Sequence, residues 1–229
     1  MAEPEFDRHA ASYDRLHAEN IRITGETPDY FAEYKARHAA RLARGALPLP
    51  RVLDFGCGIG NATGFLAKHF PGCEITGTDL SPASLEIARK RTGPAATFHA
   101  MHGDAIPFAD ASFGLVFVSC VLHHVASDRH AAVLAEIRRV LAPGAWLIVY
   151  EHNPWNPLTV RAVESCELDR HAVLIASGKL RSTIEAAEFR EIQSRYIVFF
   201  PHVLRFLRWS EPLLAWLPLG AQYGIAARR

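Results

Sequence analysis

The chain is poor in cysteine, methionine and net charge. Its 229 residues hold four cysteines and two methionines. Cys57, Cys73, Cys120 and Cys166 lie far apart, and no C-x-x-C pair occurs. That argues against a zinc site and against a disulfide framework, and it suits a reducing cytoplasm. The formal net charge is +1 and no basic stripe is clustered, so nothing points to a nucleic-acid partner. No run of about 18 uncharged apolar residues exists, so no transmembrane helix is expected. The opening MAEPEFDRHAASYD is polar and acidic, unlike a secretory signal. The composition is otherwise that of a folded globular chain, with 49% apolar and 21% charged residues. At this length one domain over residues 1–229 is expected rather than two.

Two nucleotide-binding signatures are also missing from the richest stretch, Arg51 to Leu66, RVLDFGCGIGNATGFL. Val52, Leu53 and Phe55 read as a strand buried on both faces. Gly56, Gly58 and Gly60 then let the backbone turn sharply and leave a ligand free to touch it. A dinucleotide fingerprint needs G-x-G-x-x-G, and its third glycine falls on Asn61 or Thr63, so both registers fail. There is no G-x-x-x-x-G-K-[ST] loop for a triphosphate either. What stands here is D-x-G-x-G-x-G, led by Asp54. This resembles the first motif of the class I S-adenosylmethionine-dependent methyltransferases. An acid suits that cofactor, which carries ammonium and sulfonium cations and no pyrophosphate.

Upstream, residues 5–45 read as helical. Phe6, Ala10, Tyr13 and Leu16 share one face, and a Thr-Gly-Glu-Thr-Pro break precedes a second helix capped by Thr27 or Asp29. Downstream, Cys73–Asp79 is a short strand ending in an acid, 25 residues beyond Asp54. Such an acid can accept hydrogen bonds from both ribose hydroxyls. Ser81 is placed to cap the helix that Pro82 starts, which leaves Asp79 available. Thr97–His102 is a third strand, and Asp104 after it can bond an adenine amino group while Ala105 and Ile106 pack near the ring. Phe113–Ser119 is a buried fourth strand. A helix over 128–141, with Ser127 as its cap, leads through Pro143-Gly144 into a fifth strand, 145–150. Residues 157–189 read as helical with Gly178 as the break. Glu191–Phe200 and Ala221–Ala227 read as the last two strands.

The tracts HGDAIPFADASFGLVFVSCVLHHV and EIRRVLAPGAWLIV resemble the second and third motif regions of the same family. The resemblance covers most of residues 6–200 and resembles most the small-molecule branch with the ubiquinone and menaquinone methyltransferases. It implies a Rossmann-like α/β fold: a seven-stranded, mostly parallel sheet with helices on both faces, strand seven antiparallel between five and six, and an N-terminal helical cap over 1–45. The cofactor core would span 51–151, and 152–229 would be the substrate side. S-adenosylmethionine would meet Asp54, Gly56, Gly58 and Gly60 at its methionine end, with Ser119 near by, Asp79 and Leu80 at the ribose, and Asp104 and Ala105 at the adenine. Tyr13 of Tyr13-Asp14 would lie over the cofactor, or else serve only in packing. No N-P-P-[YFW] tetrapeptide follows strand four, which argues against amino-group methylation of nucleobases or protein glutamine.

The acceptor is then a small molecule, most simply a hydroxyl or activated carbon of an aromatic, quinone-like or lipid-linked compound. A protonated nucleophile calls for a base, and a neutral histidine suits that task near pH 7. His124, His123 and His152 sit at the expected ligand mouth, although 12 histidines in the chain make such a coincidence cheap. Adjacent His123-His124 lacks metal-ligand spacing, so no metal is expected. The sequence also admits a cofactor-binding partner subunit without methyl transfer, or other chemistry with the same cofactor. Residues 201–220, PHVLRFLRWSEPLLAWLPLG, are rich in leucine and tryptophan but interrupted by Arg205, Arg208 and Glu211. They read as a helix pair packed on the domain, as a substrate lid or homodimer contact, or as a peripheral contact with a membrane surface.

Overall fold

The computed structural model describes residues 5–43 and 48–229. The side chain of Phe6 and residues 44 and 45 of the expected cap lie outside that description. Seven strands build the sheet: β1 (Arg51–Phe55), β2 (Glu74–Asp79), β3 (Thr97–Ala100), β4 (Phe113–Ser119), β5 (Leu141–His152), β6 (Arg190–Ile197) and β7 (Gln222–Arg228). Their order is β3-β2-β1-β4-β5-β7-β6. β7 runs antiparallel to both β5 and β6, and the other pairs are parallel. This is the expected Rossmann-like topology. β1 is an interior strand with β2 and β4 on either side, which explains why Val52, Leu53 and Phe55 are all apolar and buried.

Among the described residues eight helices surround the sheet: α1 (Tyr13–Ile21), α2 (Pro28–Leu42), α3 (Thr63–His69), α4 (Pro82–Thr92), α5 (His130–Val140), α6 (Pro157–Ser165), α7 (Ser177–Ala186) and the single turn α8 (Glu211–Leu214). Short 3-10 turns join them. Three helices start on a capping side chain followed by proline. Thr27 accepts from the Tyr30 N–H, Ser81 from the Ser84 N–H, and Asn156 from the Leu158 and Thr159 N–H groups. Proline suits the first helical position because its missing N–H has no partner there. Leu134, Ile137 and Val140 of α5 and Leu180 and Ile184 of α7 bury against one sheet face. Ala36 and Ala39 of α2 and Leu66 of α3 bury against the other.

Four local readings are corrected. Gly178 lies in the first turn of α7, and the helical run breaks over 166–176 instead. Ser127 makes no side-chain cap for α5. β6 ends at Ile197, because Val198 takes a φ of 61°. β5 runs back through Pro143-Gly144 to Leu141, with a register shift against β4 absorbing the turn.

Candidate active site

The carboxyl ends of the parallel strands meet at one edge, where open α/β sheets collect their ligands. The glycine turn leaves β1 there. Gly56, Gly58 and Gly60 all have positive φ, at 68°, 52° and 79°. A Cβ on Gly56 would stand 2.6 and 2.8 Å from the Val121 methyls, whereas one on Gly58 would meet nothing within 4 Å. Gly56 therefore serves close packing, and Gly58 leaves open space. The Gly56 and Cys57 N–H groups donate to the Thr78 carbonyl at 2.8 and 3.0 Å, which ties the turn to β2.

The three expected acids behave differently. Asp54 is buried and accepts from the Thr63 hydroxyl at 2.6 Å. Burial pushes its carboxyl up to about 7, against the opposing pull of that hydroxyl. Asp79 accepts from the Gly58 N–H at 2.7 Å and the Ser81 N–H at 2.8 Å, so it clamps the open part of the turn; burial raises its pKa. Leu80 beside it is 48% exposed, an apolar surface left standing at the mouth. Asp104 is ion-paired to Arg129 at 2.5 Å, next to exposed Ala105. The Met101 N–H donates to the Asp79 carbonyl at 2.9 Å and holds the Asp79 and Asp104 corners together. Ser119 closes β4, half-buried.

The three candidate histidines converge. The His123 ring centroid lies 4.1 Å from His124 and 5.2 Å from His152. His123 itself is buried, with Nδ1 2.5 Å from Glu151 Oε2. Glu151, also buried, accepts from the Val121 and Leu122 N–H groups through its other oxygen. Asp169 Oδ1 lies 3.5 Å from His123 Nε2 and 3.4 Å from His124 Nε2. Burial opposes the charge on His123, but Glu151 and Asp169 outweigh it and push the imidazole up to about 10. Asp169 is buried enough to resist ionisation, yet hydrogen bonding to His123 and His124 holds it well below the usual carboxylate range. His123 is therefore a cation at neutral pH and His124 faces a fixed carboxylate.

Cys120 stands at the centre of this edge with a φ of 57°. Buried Lys35, from α2, donates to its sulfur at 3.6 Å, and so does the Gln222 amide of β7. Burial would raise this thiol, but Lys35 and His152 draw it down to about 6. Gln222 Oε1 and His17 Nδ1 are buried without a hydrogen-bond partner. The α1 helix closes over the edge. Arg91 bonds both Asp14 of α1 and Asn61 of the turn. Tyr13 packs edge-on to His17 at 5.8 Å, and burial together with Asp169 and Cys120 raises its hydroxyl pKa.

Glu151, Asp169, Lys35, Thr63 and Gln222 belong to this cluster, and none was singled out from the sequence. Glu151 directly precedes His152 and Asp169 lies within the 157–189 run, but their pairing with His123 depends on the β4–β5 register and the 166–176 break.

Residues 52–144 match the family model described as a methyltransferase domain. The chain is 34% identical over 154 residues to the demethylmenaquinone methyltransferase of Chlorobaculum parvum, covering 67% of this chain and 61% of that protein. It is 39% identical over 121 residues to the trans-aconitate 2-methyltransferase of Methylobacterium radiotolerans, covering 52% and 45%. The chain thus spans about half to three-fifths of the length of these curated relatives. A crystal structure of an S-adenosylmethionine-dependent methyltransferase of Thermotoga maritima aligns with a TM-score of 0.69, covering 97% of both chains at 19% identity. At that identity the likeness is one of fold.

Proposed function

We propose that this chain, which carries a methyltransferase domain of the S-adenosylmethionine-dependent class over residues 52–144, is an enzyme that methylates a hydroxyl or activated carbon of an aromatic, quinone-like or lipid-linked small molecule. The observation that carries the reading is the convergence of the acid-clamped glycine turn with the histidine cluster at one sheet edge. The residues fit the cofactor. The open space over Gly58, the acceptors Asp79, Asp54 and Asp104, and the unpartnered buried Gln222 Oε1 suit a ligand rich in hydroxyl, amino and cationic groups. When bound, S-adenosylmethionine supplies a methyl group on an already activated sulfonium.

Asp79 and Leu80 would then hold the ribose, with Asp79 as acceptor for its hydroxyls, and Asp104 and Ala105 would hold the adenine. Asp54, Gly56, Gly58, Gly60 and Ser119 shape the methionine end, and Tyr13 covers it. His124 takes the acceptor's proton, and ionised Asp169 steadies the imidazolium so formed. His123, already cationic, positions the backbone of 121–122 through Glu151 rather than acting as a base. His152 lines the acceptor side with Cys120. Orientation of the nucleophile supplies much of the rate. No step needs a metal, even though His123 Nε2, His124 Nε2 and Asp169 Oδ1 lie within 4.8 Å of one another. The four unpaired cysteines fit a cytoplasmic protein.

Calorimetry with S-adenosylmethionine and S-adenosylhomocysteine tests the cofactor. Failure to bind either would end the reading. A methyl-transfer screen over quinols, phenolic acids and polyprenyl-linked sugars tests the acceptor class. Binding with no transfer to any of them would leave a cofactor-binding subunit. His124→Ala should lower kcat by about 10²- to 10⁴-fold with cofactor affinity unchanged, and equal losses in both would make His124 structural. Treatment with EDTA should leave turnover intact. A loss restored by added metal would replace the base assignment with a metal at the three donors.

A further inference from the structure

The segment 201–220 is turned inside out for a surface helix pair. The helical stretch His202–Ser210 buries no residue. Its polar anchors point inward. Arg208 donates to Glu26 at 2.6 Å and to the Phe200 carbonyl at 3.1 Å. Glu211 is buried and accepts from the Phe199 and Phe200 N–H groups and from the Tyr34 hydroxyl. The apolar side chains point out instead, with Trp209 75% and Trp216 73% exposed, and Phe206 and Leu213 beside them in the same state.

The surface continues beyond this segment. The Asn156 amide donates to the Leu219 carbonyl, and the Asn153 amide to Pro218 and Gly220. These bonds seat exposed Trp155 and Leu158 next to exposed Leu219. An apolar surface of this extent marks an interaction site rather than ordinary exposure.

Its charge selects the partner. Glu211, the single acid in 198–220, faces inward, and Glu26 is taken up by Arg208 and His202, while Arg205 and Arg161 are exposed, the latter three residues before exposed Glu164. A two-fold contact through 198–220 would set Arg205 and its apolar neighbours against their own copies, with no acid of that segment facing outward to pair with the arginine. An anionic bilayer answers both features. Tryptophan rings favour the headgroup boundary, and apolar burial adds to the attraction of arginine for anionic lipid. Among the described residues no helix is long and apolar enough to cross a membrane, so contact would be peripheral.

We infer that the face formed by 201–220 and the Trp155–Leu158 loop docks on an anionic lipid surface. The loop follows directly from His152 at the end of β5, so docking brings the histidine edge close to the bilayer. The face itself does not depend on the methyl-transfer reading.

Three of the chain's four tryptophans lie on this face, and Trp146 is buried, so intrinsic emission reports the contact. Phosphatidylcholine vesicles with phosphatidylglycerol should co-sediment the protein and shift its emission to the blue, and vesicles without it should do so at least tenfold more weakly. Trp209→Ser/Trp216→Ser should cut binding at least tenfold, and Arg205→Glu should remove the preference for anionic lipid. Both variants should keep the wild-type circular dichroism and cofactor affinity, since none of the three side chains is buried. Failure of the protein to bind either vesicle would overturn the inference, as would unchanged binding by the double variant. A dimer in light scattering that the double variant dissolves would assign the face to a second copy instead.

Discussion

Gly56 and Gly58 sit two residues apart in one turn, and alanine at each should fail for a different reason. Both have positive φ, 68° and 52°, so an L side chain costs about 1–2 kcal/mol at either. At Gly56 the new Cβ would also fall 2.6 and 2.8 Å from the Val121 methyls, and overpacking of that kind adds about 1–3 kcal/mol. Gly56→Ala should therefore lose about 2–5 kcal/mol, which for a chain of this size lowers Tm by roughly 4–20 °C. Adding Val121→Ala should recover part of the loss, because the two sites share one contact. At Gly58 no atom lies within 4 Å of the new Cβ, so only the backbone cost remains and Tm should fall by about 2–8 °C. That Cβ would, however, occupy the space assigned to the cofactor. A clash of about 1–3 kcal/mol weakens binding by roughly 5- to 150-fold. Differential scanning calorimetry and titration with S-adenosylhomocysteine separate the two. Wild-type affinity in Gly58→Ala would refute the placement of the cofactor over the turn, and wild-type stability in Gly56→Ala would refute the close approach to Val121.

Other consequences follow from the buried charges. Glu151→Gln leaves the His123 cation with Asp169 as its one remaining carboxylate and should cost about 3–5 kcal/mol, read as a lower urea midpoint. His123 is raised to about 10 from an ordinary 6.5, so its contribution to stability is complete below pH 6.5 and fades as pH rises through 10. Glu151 is depressed below 4.5, so its own contribution is lost only as pH falls. The wild-type urea midpoint should accordingly decline between pH 6.5 and 10, and the decline should flatten in Glu151→Gln; parallel curves would show that the pair does not titrate in this way. Asp79→Asn removes a charged acceptor and should weaken cofactor binding by roughly 10- to 100-fold, with an unchanged calorimetric affinity counting against the ribose contact. Cys120, drawn down to about 6 while Cys57, Cys73 and Cys166 are raised, should be the first thiol alkylated by iodoacetamide at pH 7. Lys35→Met should slow that reaction, and peptide mapping by mass spectrometry would reveal either failure.

Much of the proposed cofactor side is legible in the chain because it is local. The strand, turn and helix from Arg51 to His69 follow from an apolar run, alternating glycines and helical spacing, and all three occur within one short segment. Asp79 and Asp104 are legible for the same reason, Asp79 closing β2 and Asp104 following the third strand, which ends at Ala100 rather than His102. The helix starts at Thr27-Pro28, Ser81-Pro82 and Asn156-Pro157 are legible too, since a cap and its proline are neighbours. The errors at Gly178 and Ser127 show where that reasoning weakens: a residue suited to a break or a cap takes that role only if packing leaves it there.

The histidine edge obeys a different rule. His123 was noted as a candidate base, yet its chemistry is decided by Glu151, 28 positions away, and by Asp169 beyond β5. Cys120 meets Lys35 from 85 positions earlier and Gln222 from 102 positions later. Local pattern cannot express such pairings. They arise because β7 inserts between β5 and β6 and because α2 lies across the strand ends, which sets partners by sheet order rather than by spacing. The same holds for 201–220: its composition was apparent, but the direction in which Arg208, Glu211 and the tryptophans point was not. Periodicity, turn chemistry and motif spacing therefore determine the class of fold and the glycine turn with its acids, where the cofactor is proposed to bind. The protonation states at the acceptor end, and the face offered to a partner, come from burial and long-range electrostatics, which exist only once the chain has closed on itself.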